Sequence, residues 1–311
     1  MSDQFLFVEK YRPKTIDECI LPDNISKIFK DIIKSGEAQN LMLSGGPGCG
    51  KTTAARAMCN ELNCDTLFIN ASEQGNIDTL RTTIRNFAST VSVLGGGKVV
   101  ILDESDNMTA ATQSAFRGFI EEFAANCRFI LTCNFKNKII EPLHSRFSII
   151  DFKMPRDQQP KLASQMHQRV KNILETEGIS YDEKVLSRFI LKYFPDFRKI
   201  LGELQTYGSR GTIDEGILSI GSHSNVAALI KHMKEKNFVS VRKWVSENSD
   251  CDSSAIFREI YDTLSENIDK QSVPQVILIL ADYQYKMAFS SDPEICLCAC
   301  FVEIMVNATF K

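Results

Sequence analysis

Short apolar runs alternate with helically spaced apolar positions over the first half of the chain. Five runs have strand character: 41–44 (LMLS), 66–70 (TLFIN), 99–102 (VVIL), 128–133 (RFILTC) and 148–152 (SIIDF). Four of them are apolar through their centres, the pattern of strands covered on both faces of a parallel sheet. Segments 51–63, 77–90 and 109–125 lie between them and carry apolar residues at helical spacing. This βα alternation predicts an open, doubly wound α/β domain whose chemistry gathers beyond the carboxyl ends of the strands.

After KMPRDQQP the strand signals stop. Residues 157–176, 182–194 and 196–207 read as three helices, broken at EGIS and YFPD. A stretch rich in Gly and Ser follows (207–225), and then further helices to the C-terminus. Three parts are expected: an α/β domain over 1–153, a small three-helix domain over 154–210, and an all-helical domain over 211–311. No internal repeat or low-complexity tract is visible.

Composition narrows the class only a little. The 311 residues are 43% hydrophobic and 24% charged, ordinary for a soluble globular chain. The longest apolar runs, VILILA (276–281) and ICLCACFV (295–302), fall far short of the roughly 18 residues a membrane span needs. No signal peptide is legible at the N-terminus, and a cytoplasmic location is expected. Ten cysteines are few for this length. With no second Cys or His cluster near CLCAC (296–300) or the Cys59/Cys64 pair, they read as core thiols in a reducing compartment.

Net charge is −3, but it is unevenly spread. Residues 1–153 carry 17 Lys+Arg against 18 Asp+Glu, 154–210 carry 10 against 7, and 211–311 carry 9 against 14. The acidity sits at the C-terminal end, which leaves room for a nucleic-acid-facing surface in the first two parts.

The strongest chemical signal is GGPGCGKT, residues 45–52, which fits GxxxxGK[ST] between a strand and a helix. Gly45, Gly46, Pro47, Gly48, Cys49 and Gly50 form a loop whose backbone N–H groups can close around a phosphate at a helix N-terminus. Lys51 would reach the β/γ-phosphates, and the Thr52 hydroxyl would ligate Mg²⁺. VVILDES (99–105) ends a buried strand in Asp103, placed to hold the same Mg²⁺, and Glu104, placed to act as general base on water. Asn134 ends the fourth strand on the same sheet edge, where an amide can hold the water or the γ-phosphate. Taken together these residues predict ATP hydrolysis.

In combination the motifs resemble the AAA+ ATPases, and more narrowly the sliding-clamp loaders. The resemblance is carried by VEKYRPKTIDECI (8–20), GGPGCGKTT (45–53), NASEQGNIDTLR (70–81), ILDESDNMTAATQSAFRGFIEE (101–122), IIEPLHSRF (139–147) and FPDFRKILGEL (194–204). Cellular replication factor C small subunits look similar over these blocks, and the clamp-loader large subunits of T-even-type bacteriophages look more so. The resemblance implies a P-loop AAA+ parallel-sheet domain, a helical lid and an all-helical C-terminal collar. It implies that Val8, Glu9, Lys10 and Tyr11 wrap the adenine and ribose, with Ile20 closing the pocket and Thr53 completing the loop. It makes Asn134 the first sensor and Arg198 the second, on the lid. Arg146 matches the arginine finger that reaches ATP in a neighbouring subunit, and Arg117 matches a second arginine acting in trans. The family usually has Ser-Arg-Cys where this chain has Ser145-Arg146-Phe147.

The partners implied are a sliding clamp, primer–template DNA held through its phosphates, a clamp-loader small subunit, and further copies of this chain in a ring-like oligomer. ATP binding would tighten a partial ring around an opened clamp and DNA, and hydrolysis would release the closed clamp. Two other readings make different predictions. A replication initiator or branch-migration helicase motor of the AAA+ class would add a basic DNA-recognition domain, against which the acidity of 211–311 argues. A P-loop kinase or self-contained NTPase would be active as a monomer and have no use for Arg146.

Overall fold

The computed structural model describes residues 5–72, 77–92, 95–218, 226–248, 253–287, 289–290 and 292–311. They fall into two compact units, Met1–Ile217 and Leu218–Lys311. The first opens with α1 (Phe7–Lys10) and α2 (Asp23–Ser35), then alternates β1 (Leu41–Ser44), α3 (Lys51–Glu61), β2 (Asp65–Asn70), α4 (Ile77–Ala88), β3 (Lys98–Asp103), α5 (Ala110–Glu122), β4 (Cys127–Cys133), α6 (Glu141–His144) and β5 (Ser148–Asp151).

The five strands form one parallel sheet in the order β2-β3-β4-β1-β5. The central strands β1, β3 and β4 are buried almost throughout, as their apolar runs require. The edge strands β2 and β5 are less covered, leaving Phe68 and Ile149 exposed while Ile69 and Ile150 are buried. Two apolar clusters cover the sheet. One joins α2 and α3 around Phe29, Leu41, Leu43 and Met58. The other joins α4 and α5 around Leu80, Ile84, Phe116 and Phe129. Strand order steps from β1 to its neighbours β4 and β5, so the carboxyl end of β1 is where a ligand crevice is expected.

Three helices follow: α7 (Gln159–Thr176), then α8 (Glu183–Tyr193) and α9 (Phe197–Gly208), with a short parallel ladder between β6 (Ser180–Tyr181) and β7 (Thr212–Ile213). Asp182 and Asp196 cap α8 and α9 by accepting backbone N–H groups of their first turns. Because Ile213 pairs in this ladder and Ile217 is fully buried, the first unit runs on to 217 rather than ending at 210.

In the second unit the described residues form α10 (Val226–Lys234), α11 (Phe238–Glu247), α12 (Ser253–Asn267), α13 (Val273–Met287) and α14 (Pro293–Asn307). They pack around Leu229, Val241, Trp244, Phe257, Phe301 and Ile304, with Trp244 and Phe301 in edge contact. Cys300 is buried in this core and Cys296 and Cys298 are half-buried. Burial pushes the Cys127 and Cys133 thiols of the sheet up to about 11, so they stay protonated and pack as small hydrophobes. No helix among the described residues is long and apolar enough to cross a membrane.

Candidate nucleotide site

A cleft open to solvent lies in the first unit beyond the carboxyl end of β1. Its phosphate side is built by the loop between β1 and α3. Gly48 and Gly50 take positive φ angles of 69° and 91°, which lets the loop turn tightly and brings α3 to it amino end first. Lys51 is buried, and its ammonium donates to the carbonyls of Gly45 (2.7 Å) and Gly46 (2.8 Å) and to Oδ1 of Asn134 (2.9 Å). An ammonium has three protons, so all are in use. A bound phosphate would take over some of these contacts.

The acidic pair stands opposite. The Thr52 hydroxyl donates to Oδ1 of Asp103 at 2.7 Å, and the Thr132 hydroxyl of β4 donates to the same oxygen. Glu104 sits in the left-handed region at φ 55°, and its N–H donates to the Thr132 hydroxyl at 3.1 Å. Asp106 is buried and accepts the N–H groups of Asn134 (3.2 Å) and Phe135 (3.3 Å), which fixes Asn134 at the end of β4.

The other walls are less polar. Val8, Tyr11, Ile20 and Leu21 line one side, and the lid residues Met166, Arg169, Phe197, Arg198 and Leu201 line the other. The lid meets the phosphate loop directly, because the N–H of Phe197 donates to the carbonyl of Gly48 at 3.0 Å. The N-terminal segment is strapped to the lid as well. Gln205 accepts the N–H of Phe7 (2.8 Å) and donates to the carbonyl of Phe5 (2.7 Å). Arg169 donates to the carbonyls of Tyr11 (2.8 Å) and Glu18 (2.5 Å).

Most of the residues singled out from the sequence meet here. Val8, Tyr11, Ile20, Pro47, Gly48, Cys49, Gly50, Lys51, Thr52, Thr53, Asp103, Glu104, Asn134 and Arg198 all line the cleft. Gly45 and Gly46 stand behind it and hold Lys51 through their carbonyls. Glu9 and Lys10 do not line it. Glu9 pairs with Arg12, whose guanidinium holds its carboxyl below the usual range, and Arg12 also donates to the Thr53 hydroxyl at 3.1 Å. Lys10 reaches Glu177 of the lid at 2.6 Å, and Tyr11 donates to the same carboxylate.

Arg146 and Arg117 are likewise not among the cleft-lining residues. Arg146 is paired with Glu121 of α5 at 2.5 Å and donates to the carbonyl of Pro142 at 2.7 Å. Arg117 is exposed on the same helix. Phe147 has a clear role: it is buried among Leu143, Ile139 and Phe129 and anchors the corner that presents Arg146. Sequence reasoning passed over Arg12, Thr132, Asp106, Arg169 and the lid cap Asp196. Asp106 carried a local signal as a third acid in the DESD turn, and Asp196 as the Asp that opens the 196–207 helix after Pro195.

The family model described as the ATPase family associated with various cellular activities (AAA) matches residues 41–154. A second model, described as the sliding-clamp-loader large subunit, AAA+ ATPase lid domain, matches residues 158–219. The sheet domain and its cleft are therefore those of a nucleotide-binding AAA+ ATPase. The sliding-clamp-loader large subunit of Enterobacteria phage T4 is 34% identical over 99% of this chain and 98% of its own length. That of Escherichia phage RB69 is 39% identical over 78% of this chain and 77% of its own. The replication factor C small subunit of Thermofilum pendens is 32% identical over 96% and 95%. Among solved structures, the Thermotoga maritima RuvB P216G mutant superposes with a TM-score of 0.55 at 18% identity, covering 72% of this chain and 80% of its own, a likeness of fold. The chain belongs to the sliding-clamp-loader family, with the phage large subunits among its relatives.

Proposed function

We propose that this chain is the ATP-hydrolysing subunit of a clamp loader that opens a polymerase processivity clamp and places it on primer–template DNA. The observation that carries the oligomeric part of this reading is the position of Arg146. The cleft brings together a phosphate loop, an acidic pair, a sheet-end amide and a lid arginine from one chain. Arg146 instead stands on a separate corner and pairs with Glu121. A guanidinium offered outward beside a buried anchor suits ATP held by a neighbouring copy.

The donor set fits Mg²⁺, since Thr52 and Asp103 offer hard oxygens side by side. When bound there, Mg²⁺ would neutralise charge on the β- and γ-phosphate oxygens. Lys51 would release its loop carbonyls and hold the same phosphates. Glu104 would accept the proton of the attacking water as its oxygen bonds to the γ-phosphorus and ADP departs. Asn134, fixed by Asp106 and in contact with Lys51, would report the γ-phosphate, and Arg198 would draw the lid onto it. The partners proposed are the clamp, DNA held through phosphates, a small subunit and further copies of this chain, in the cytoplasm of the cell where replication occurs. Clamp and DNA together would stimulate hydrolysis.

The match of the lid to a clamp-loader family model favours this reading over a branch-migration or initiator motor, whose likeness is one of fold. Glu104→Gln tests the chemical assignment. It should retain ATP through gel filtration without turning it over, and wild-type turnover would remove Glu104 as the base.

A further inference from the structure

We infer that Thr132 is a positioning residue for hydrolysis, setting the Asp103 carboxylate and the Glu104 backbone through one hydroxyl. The inference rests on the reading of Asp103 and Glu104 given above. Thr132 lies on β4 and is 1% exposed. Its hydroxyl donates to Oδ1 of Asp103 and accepts the Glu104 N–H at 3.1 Å. A hydroxyl has a single proton and can accept as well as donate, so one atom meets both neighbours.

The geometry explains why a hydroxyl is needed at this point of the sheet. The β3–β4 ladder pairs residues as far as Leu102 with Leu131. Beyond it Glu104 turns into the left-handed region at φ 55°, a conformation that is strained in a residue with a side chain and persists only when its surroundings impose it. The Thr132 side chain supplies the acceptor for the Glu104 N–H there. Asn107 holds the other end of the turn, its N–H donating to the Glu104 carbonyl at 2.9 Å and its side-chain amide to Oε2 at 3.3 Å. Thr52 and Thr132 converge on the same oxygen of Asp103. Asp103 is thereby held from both sides, by the helix that follows the phosphate loop and by the strand that ends in Asn134. Removing the Thr132 hydroxyl would free one side of Asp103 and leave the Glu104 N–H unpaired. Both effects act on the reacting end of the cleft and neither on its base-binding walls.

Thr132→Val keeps the shape and removes both hydrogen bonds, and Thr132→Ser restores them. Thr132→Val should bind ATP in EDTA within about twofold of wild type while its kcat falls roughly 10- to 100-fold, the range for groups that orient metal ligands. The Mg²⁺ concentration for half-maximal turnover should rise, and Thr132→Ser should recover most of both. Wild-type kcat and Mg²⁺ dependence in Thr132→Val would overturn the inference, as would an equal loss of nucleotide binding in EDTA. If Thr132→Val does not fold, Thr132→Cys provides the second measurement. A wild-type rate in that weak hydrogen-bonding substitute, or a failure of all three variants to fold, would equally overturn it. Asp103→Asn and Glu104→Gln are run in parallel. If they turn over ATP normally, the site assignment itself fails. If they are inactive while Thr132→Val is not, only the role of Thr132 fails.

Discussion

Arg146 donates to the carboxylate of Glu121 across 2.5 Å, from a corner whose side chains do not line the cleft of the same chain. The guanidinium holds the Glu121 carboxyl below its usual range. A depressed carboxyl gives a pair that is present above the ordinary carboxylate pKa and lost as pH falls through the lowered value, so at neutral pH the pair is intact. On the proposed reading, Arg146 would exchange Glu121 for phosphate when a neighbour docks. Exposed pairs of this kind are weak, so Glu121→Gln should change the rate of the assembled enzyme by less than about fivefold. Arg146→Ala should lower it by roughly 10³-fold or more while ATP binding by the isolated chain stays unchanged. Steady-state ATPase and nucleotide titration of the two variants separate these outcomes. Equal effects would mean that Arg146 serves only its own subunit.

Gly48 is the tightest junction between the phosphate loop and the lid. A Cβ there would come within 1.8 Å of Oδ1 of Asp196, the residue that caps α9, and φ is 69°. Gly48→Ala must therefore move the lid or abandon the cap. It should lower the melting temperature by roughly 2–4 °C or more and weaken ATP affinity together with it. A variant with normal melting and normal ATP affinity would show that the lid does not close on the loop in this way.

One part of the strap between the N-terminal segment and the lid, the contact of Lys10 and Tyr11 with Glu177, depends on an ionised Glu177. Lys10 and then Tyr11 lower its carboxyl from the usual value. By the same sign, this contact persists through neutral pH and is lost only as pH drops below the ordinary glutamate range. Glu177→Gln should weaken nucleotide affinity at neutral pH and remove the acid-side fall that wild type shows. Identical affinity–pH curves for the two proteins would exclude Glu177 from holding the base-side wall.

Much of the fold was legible because its strands are short, apolar and separated by helical periods. The span 41–44 is a strand residue for residue, and 148–152 differs by one end residue. The phosphate loop was legible because its glycines, Lys51 and Thr52 are contiguous. Thr132 and Arg169 were not, since each acts on residues distant in the chain that only the β3–β4 ladder or lid packing brings near. Phe147 looked anomalous after the arginine until its burial beside Leu143 and Phe129 gave it a packing role. The loop NASEQGN lies partly outside the described residues.

The most direct test of the clamp-loader reading is the ATPase rate of the complex assembled with its small subunit, measured with clamp and primer–template DNA added separately and together. The two added together should raise the rate well beyond either alone, and Arg146→Ala should abolish the increase while ATP still binds. A chain that hydrolyses ATP at its full rate as a monomer, indifferent to both additions, would contradict the account.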